Sequence, residues 1–77
     1  MSNSTTESNL STLTAELAES VRIARARLRL SQREVAELAG VGLQRVHEIE
    51  NSKGDPKLST VARITSAVGI AITVGGA

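Results

Sequence analysis

Residues 31–51 read SQREVAELAGVGLQRVHEIEN, and this stretch decides the fold. Ser31 and Glu34 have the spacing of a capping box, in which each side chain satisfies a backbone amide at a helix start. Gly40 is suited to end that helix, because glycine readily adopts the left-handed backbone conformation. Only two residues separate Gly40 from a second apolar pattern that begins at Leu43. The stretch therefore predicts two short helices, the second over about Leu43–Asn51, joined by a tight turn.

The second of these helices has an aliphatic side and a polar side. At about 100° per residue, Val46 and Ile49 fall together. The opposite side carries Gln44, His47, Glu48 and Asn51. Solvated faces usually use Lys and Glu, whereas Gln and Asn pair with adenine and carboxylates accept from cytosine. The pattern indicates a helix that reads base edges, although His47 alone is most simply a solvated or hydrogen-bonding side chain.

Upstream, apolar residues recur at spacings of three and four and predict a first helix. These residues are Leu10, Leu13, Leu17, Val21, Ala24 and Leu28. We expect the helix to run from about Ala15 to Leu28 with Thr14 as its N-cap, with room for an extra turn from Leu10. Residues 1–9 are rich in Ser, Thr and Asn, and we expect a flexible tail there.

Downstream, SKGDPK at 52–57 predicts a loop. A fourth helix follows, with Ser59 as its expected cap, Ile64 and Val68 on its apolar side and Gly69 as its stop. The helix-turn-helix domain is thus expected over residues 10–69.

The C-terminal stretch IAITVGGA at 70–77 changes period, because Ile70, Ile72 and Val74 alternate with smaller or polar residues. This alternation predicts a short β-strand. A lone strand cannot satisfy its own backbone, so we expect it to pair with the same strand of a second copy and form a homodimer. The alternative is a loosely packed tail.

Composition narrows the function classes. The chain has 77 residues, no aromatic residue, no cysteine and one histidine. The core must be aliphatic and modest, which favours dimerisation. Disulfides, thiolate sites and His-rich metal clusters are excluded. The sequence shows no apolar run of about 20 residues and no secretory signal, so we expect a cytoplasmic protein without membrane contact.

Charge is unevenly distributed although the net charge is only +1. All nine basic residues lie after residue 20, and five arginines fall between Arg22 and Arg33. A polyanionic partner and a solvated helix face both explain this cluster. No glycine-rich loop follows a strand and no side chains stand at metal-ligand spacing, so we expect no enzyme activity, no metal and no cofactor.

Residues 24–69, ARARLRLSQREVAELAGVGLQRVHEIENSKGDPKLSTVARITSAVG, resemble the lambda-repressor/Cro, or Xre, type of helix-turn-helix domain. The shared pattern is an arginine in helix 1, Leu-Ser/Thr-Gln-x-x-Leu-Ala, a Gly-Val turn, Ile-x-x-Ile/Leu-Glu-x-Gly and a Pro-x-Leu lead into helix 4. The match spans about Leu17 to Gly69. It implies an all-α, lambda-repressor-like bundle of about four helices that binds palindromic double-stranded DNA.

The resemblance also implies residue roles. Base contacts would come from Leu43, Gln44, His47 and Glu48, with Gln44 as the main reader. Phosphate contacts would come from Gln32, Arg33, Arg45, Asn51 and Lys53. Arg25 and Glu50 match positions that form a partly buried structural ion pair. Two departures stand out: Gly42 replaces the usual Ser or Thr cap, and Ser52 replaces the usual Gly after the glutamate segment.

The segment LTAELAESVRIAR together with IAITV is similar to HipB-like antitoxins. Those proteins pair a C-terminal strand across a dimer, repress their own operon and bind a HipA-type kinase toxin. A phage or plasmid repressor of the same fold, without a toxin partner, is the alternative. A protein-docking module is a third reading, which requires large apolar side chains on the outer face of the third helix.

Overall fold

A computed structural model describes residues 3–72 of the chain, with side chains from residue 9 onward. Within that range the chain forms four α-helices: α1 (Asn3–Arg27), α2 (Gln32–Ala39), α3 (Leu43–Glu50) and α4 (Leu58–Ala67). The predicted all-α bundle of about four helices is confirmed. Helix α3 packs mainly against α1 and α2, and α2 also packs against α4.

The core is aliphatic throughout. Its buried members are Val21, Val35, Ala36, Ala39, Val46, Ile49, Ile64 and Val68. Every helix contributes to this one cluster, so detaching any helix would expose core residues of the other three. Because the side chains are small, correct placement of the helices depends strongly on how their ends are fixed.

All four helices end in the same motif. At the C-cap of α2, and one residue beyond the C-cap of the other helices, the chain has a positive φ, and the next amide donates to a carbonyl of the last turn. Gly40 and Gly69 fill this position after α2 and α4, as the sequence predicts. Arg29 and Ser52 fill it after α1 and α3, with φ of 57° and 56°, although neither is glycine.

Helix α1 begins earlier than predicted, at Asn3 rather than near Ala15. Thr14 is no N-cap, since its hydroxyl donates to the carbonyl of Ser11 inside the helix. Leu10 and Leu13 continue the apolar stripe, and extending an existing helix needs no new nucleation. The expected tail at 1–9 is therefore helical in backbone from Asn3, and its flexibility in solution stays a prediction.

Helix α4 also begins one residue earlier than the predicted cap. Its N-cap is Lys57, without a side-chain hydrogen bond, so Ser59 is not the cap and lies in the first turn. The chain leaves its extended conformation directly after Pro56 and Lys57. Capping preference is worth only about 1 kcal/mol, so a serine near the start does not by itself fix where the helix begins.

The predicted strand is not present within residues 3–72. Ile70 is half-buried against the core, Ile72 is exposed, and neither lies in regular secondary structure. Val74 lies outside the described residues. Residues 3–72 offer this segment no strand to pair with, so pairing across a dimer stays a prediction.

Candidate nucleic-acid interface

The turn between α2 and α3 fixes the angle at which α3 leaves the bundle. The hydroxyl of Ser31 accepts from the Glu34 amide at 3.0 Å and the Glu34 carboxylate accepts from the Ser31 amide at 2.7 Å, which completes the predicted capping box. At the other end Gly40 has φ 71°, and the amide of Val41 donates to Ala36. Both ends of α2 are thus satisfied locally.

The underside of α3 is buried against α1 and α2. Val46, Ile49 and Glu50 are its buried residues, with exposures of 0, 3 and 3%. The predicted aliphatic anchor is therefore correct, and a carboxylate is buried beside it. A buried carboxylate needs partners for both oxygens.

Those partners come from α1 and α2. Arg25 Nε and Nη2 donate to the two oxygens of Glu50 at 2.6 and 2.9 Å, and Arg25 Nη1 also donates to the carbonyl of Leu30. Gln32 Nε2 donates to Glu50 Oε1 at 3.0 Å. Arg22 Nη1 donates to the main-chain carbonyl of Glu50 at 2.7 Å. The structure thus places Arg25 and Glu50 together, where the resemblance puts the ion pair, and ties the last turn of α3 to both preceding helices.

These contacts set the charge state of the buried glutamate. Burial raises the pKa of the Glu50 carboxyl, but hydrogen bonds from Arg25 and Gln32 and the charges of Arg25 and Arg22 outweigh it, so the pKa is lowered. The same pairing acts in the opposite direction on Arg25: its hydrogen bond to Glu50 raises the pKa of the guanidinium and outweighs the lowering by burial. Both groups are charged. Arg22, Arg25 and Gln32 together hold Glu50, and we call this set of contacts the clamp.

Of the predicted base-contacting residues, Gln44 is exposed, while Leu43, His47 and Glu48 are half-buried. Gln44 thus projects furthest from the anchored side, in keeping with its expected role as main reader. Leu43 packs against the core cluster, which leaves part of its side chain at the surface.

Two residues predicted to act separately are joined. Arg45 Nη1 lies 2.7 Å from Glu48 Oε1, one turn away on α3. Glu48 also lies against Gly54, where an added Cβ would approach its carboxyl carbon to 3.1 Å. Arg45 and Glu48 therefore meet any ligand as a pair, whose net charge is zero.

Four of the five residues expected at phosphates are exposed, namely Arg33, Arg45, Asn51 and Lys53. The side-chain amide of Asn51 donates to the carbonyl of His47 at 2.7 Å, so it stabilises the end of α3. The amide of Gln32 donates one hydrogen to Glu50 and has a second for another acceptor. Of these side chains, Arg33 and Lys53 form no hydrogen bond or ion pair within the described residues.

Sequence reasoning missed the parts of the clamp contributed by Arg22 and Gln32. Arg22 lies three residues before Arg25 and so shares its face of α1, which is the signal that points to it. The resemblance assigned Gln32 a phosphate contact and no contact within the bundle. Only the tertiary arrangement brings its amide to Glu50.

Among the described residues, no helix is both long and apolar enough to cross a membrane. Comparison with curated proteins gave no significant match. The helix-turn-helix domain family matches residues 16–72, which is most of the chain and includes all of α2, α3 and α4. This chain therefore belongs to the helix-turn-helix domain family.

Proposed function

We propose that this protein is a sequence-specific transcriptional repressor that binds a palindromic operator as a homodimer in the cytoplasm. The observation that carries the proposal is the geometry of α3. Val46, Ile49 and Glu50 fix one side of the helix, so that Gln44 projects from a rigid support. A helix held in this way can enter the major groove, where amide side chains read adenine.

The positive side chains around α3 fit the backbone of the same duplex. Arg33 in the first turn of α2 and Lys53 just after α3 are exposed, and the hydrogen bond from Gln32 to Glu50 places the start of α2 beside the end of α3. Helix-turn-helix proteins place the first helix across the phosphates and the second in the groove. Arg33 and Lys53 then position the protein, and Gln44 specifies the sequence.

The experiment is a binding series on duplexes selected from a random pool. Gln44→Ala should weaken the selected site by about 1–3 kcal/mol and relax the preference at one base pair. Lys53→Ala should weaken selected and random duplexes alike and reduce the salt slope by about one. Arg63→Ala removes an equal charge from α4 and is the matched control, with little expected effect. Equal loss on selected and random DNA for Gln44→Ala would refute the assigned roles.

Protein docking by α3 is the competing function, and its surface argues against it. A docking helix needs large apolar side chains at its exposed centre. The described side chains of α3 that face outward are polar, and Leu43 is half-buried against the core.

A narrower proposal is that the repressor is a HipB-like antitoxin that controls its own operon and binds a HipA-type kinase toxin. The sequence resemblance of α1 and the C-terminal segment supports it. If a HipA-type kinase gene adjoins this gene, the two purified proteins should form a stable complex that inhibits the kinase. Absence of any such gene or complex favours the phage or plasmid repressor.

A further inference from the structure

An apolar groove runs between the C-terminal half of α1 and the end of α4. It has a volume of about 530 Å³ and is lined on the α1 side by Ser20, Ile23, Ala24, Arg27 and Leu28. Ile23 is 45% exposed and Leu28 is 52% exposed, although both are large aliphatic residues. On the other side Ile70 lines the groove where the chain leaves α4.

The lining of the groove has the form of a socket for a helix. Ser20, Ile23, Ala24 and Arg27 are spaced i, i+3, i+4 and i+7, which is the arrangement that surrounds one inserted side chain when two helices pack knobs-into-holes. Ala24 is the small residue in this diamond and gives it depth. A branched aliphatic side chain on a facing helix fits such a socket, and Ile23 is itself the exposed branched residue.

Charge along the same face is self-complementary about Ile23. Glu19 lies four residues before Ile23 and Arg27 lies four residues after it. When two copies of α1 run antiparallel with a two-fold axis at Ile23, Glu19 of each copy lies opposite Arg27 of the other. Both side chains are exposed, and within the described residues neither forms an ion pair.

We propose that a second copy of this chain docks on the groove, with the two α1 helices antiparallel and crossing at Ile23. Each Ile23 inserts beside Ala24 of the other copy, and two Glu19–Arg27 pairs flank the contact. The proposal specifies the surface of the homodimer that the proposed repressor requires. Because Ile70 lines the same groove, the C-terminal segment leaves the domain at the edge of this interface.

The main test is a charge exchange measured by sedimentation equilibrium on the full chain. Glu19→Arg and Arg27→Glu each place like charges opposite one another twice per dimer, so each should raise the dimer dissociation constant roughly tenfold or more. The double variant Glu19→Arg/Arg27→Glu restores opposite charges and should return the constant to within roughly threefold of the original. Glu37→Arg, on the exposed side of α2, is the matched control and should leave it unchanged.

Cysteine cross-linking gives an independent readout, because the chain has no cysteine. Residues on a two-fold axis approach their own symmetry mates, so Ile23→Cys should form a covalent dimer under mild oxidation at low micromolar protein. Leu38→Cys, which replaces a residue 63% exposed on α2, should not. A monomeric wild type at these concentrations, or single and double charge variants that dimerise alike, would overturn the proposal.

Binding to a duplex with one half-site separates this proposal from the proposed function. A single half-site needs no dimer, so Glu19→Arg should bind it as the wild type does and lose affinity only for the palindrome. Wild-type protein that dimerises through Ile23 but binds no DNA would refute the repressor and leave the interface standing.

Discussion

Helices α2 and α3 are equal in length, at eight residues each, and each buries three residues, yet they are stabilised differently. Helix α2 has a complete capping box at its start and Gly40 in the left-handed region at its end. Helix α3 has Gly42 as its N-cap, which gives no side-chain hydrogen bond, and its C-cap Asn51 is followed by Ser52 at φ 56°. Local sequence therefore specifies α2 far more strongly than α3.

Contacts from α1 and α2 compensate for the weak capping at the ends of α3. Arg22, Arg25 and Gln32 together donate four hydrogen bonds to the side chain and carbonyl of Glu50 in its last turn. The comparison teaches that the recognition helix is held from its buried side and its C-terminal end. The outward-facing side chains of α3 are therefore less constrained by folding and can serve ligand binding.

The largest expected effect is from breaking this clamp. Arg25→Met leaves the Glu50 carboxylate, only 2% exposed, without its main partner. Removing one partner of a buried pair costs about 3–5 kcal/mol, and we expect the lower end because Arg25 is 22% exposed. Urea unfolding measures the loss. Arg63→Met, an exposed arginine of α4, should change stability by less than about 0.5 kcal/mol. A cost below about 1 kcal/mol for Arg25→Met would show that α3 does not depend on the clamp.

The clamp also predicts a pH dependence of stability. The pKa of Glu50 is lowered on folding from an ordinary value of about 4.3, so its contribution is complete above that value and is lost as pH falls through the folded pKa. The free energy of unfolding of wild type should exceed that of Glu50→Gln at pH 7, and the difference should shrink below about pH 4. The other carboxylates are common to both proteins and cancel. A difference that stays constant to pH 3 would contradict this assignment.

The same contrast explains what the sequence could predict. Helix α2, its capping box and its end at Gly40 are local features, and each was predicted from residue type and spacing. The start of α3 at Leu43 followed from the short turn after Gly40, its buried side followed from the Val46 and Ile49 spacing, and its predicted end at about Asn51 was one residue late. The links from Arg22 and Gln32 to Glu50, and from Arg45 to Glu48, depend on side-chain conformations in the folded bundle, so spacing alone did not reveal them.

The two ends of the chain were less predictable for a different reason. The start of α1 carries no strong breaker, and its polar composition is typical of both tails and exposed helices. Pairing of Ile70 and Ile72 depends on a second molecule, which one chain's sequence pattern can suggest but not supply. Local signals therefore predicted the ends of α2 but misplaced the starts of α1 and α4, and among the tertiary contacts only the Arg25–Glu50 pair was anticipated, from the resemblance.

The end of α2 gives the next largest effect. Gly40→Ala places a side chain at φ 71°, which costs about 1–2 kcal/mol. The added Cβ would lie 3.6 Å from Arg63 Nη1, an ordinary contact, so the cost is one of backbone conformation alone. Gly42→Ala is the control, because that residue has φ −72° and its added Cβ meets nothing within 4 Å. Gly42 is the N-cap of α3, where glycine is preferred to alanine, so the control should lose only about 0.5–1 kcal/mol from capping; an equal loss for both variants in thermal or urea unfolding would refute the assignment of strain to Gly40.

The smallest expected effect is at the end of α3. It tests whether the ends of α2 and α3 differ in residue type or in backbone conformation. Ser52 has nearly the same left-handed conformation as Gly40, but its hydroxyl donates to the carbonyl of Thr14 at 3.2 Å. Ser52→Ala loses only this bond and should destabilise by about 0.5 kcal/mol. Ser52→Gly loses the same bond and also relieves the strain of about 1–2 kcal/mol, so it should stabilise by a net of about 0.5–1.5 kcal/mol.

The difference in unfolding free energy between Ser52→Gly and Ser52→Ala therefore measures the strain at the end of α3. It should match the cost of Gly40→Ala in size, because both compare glycine with alanine at a φ near 60–70°. A match would mean that α2 and α3 end under one backbone constraint and differ only in the residue that meets it. A much smaller difference would mean that the turn after α3 relaxes when the side chain changes, and that the clamp on Glu50 is the constraint that sets where the recognition helix ends.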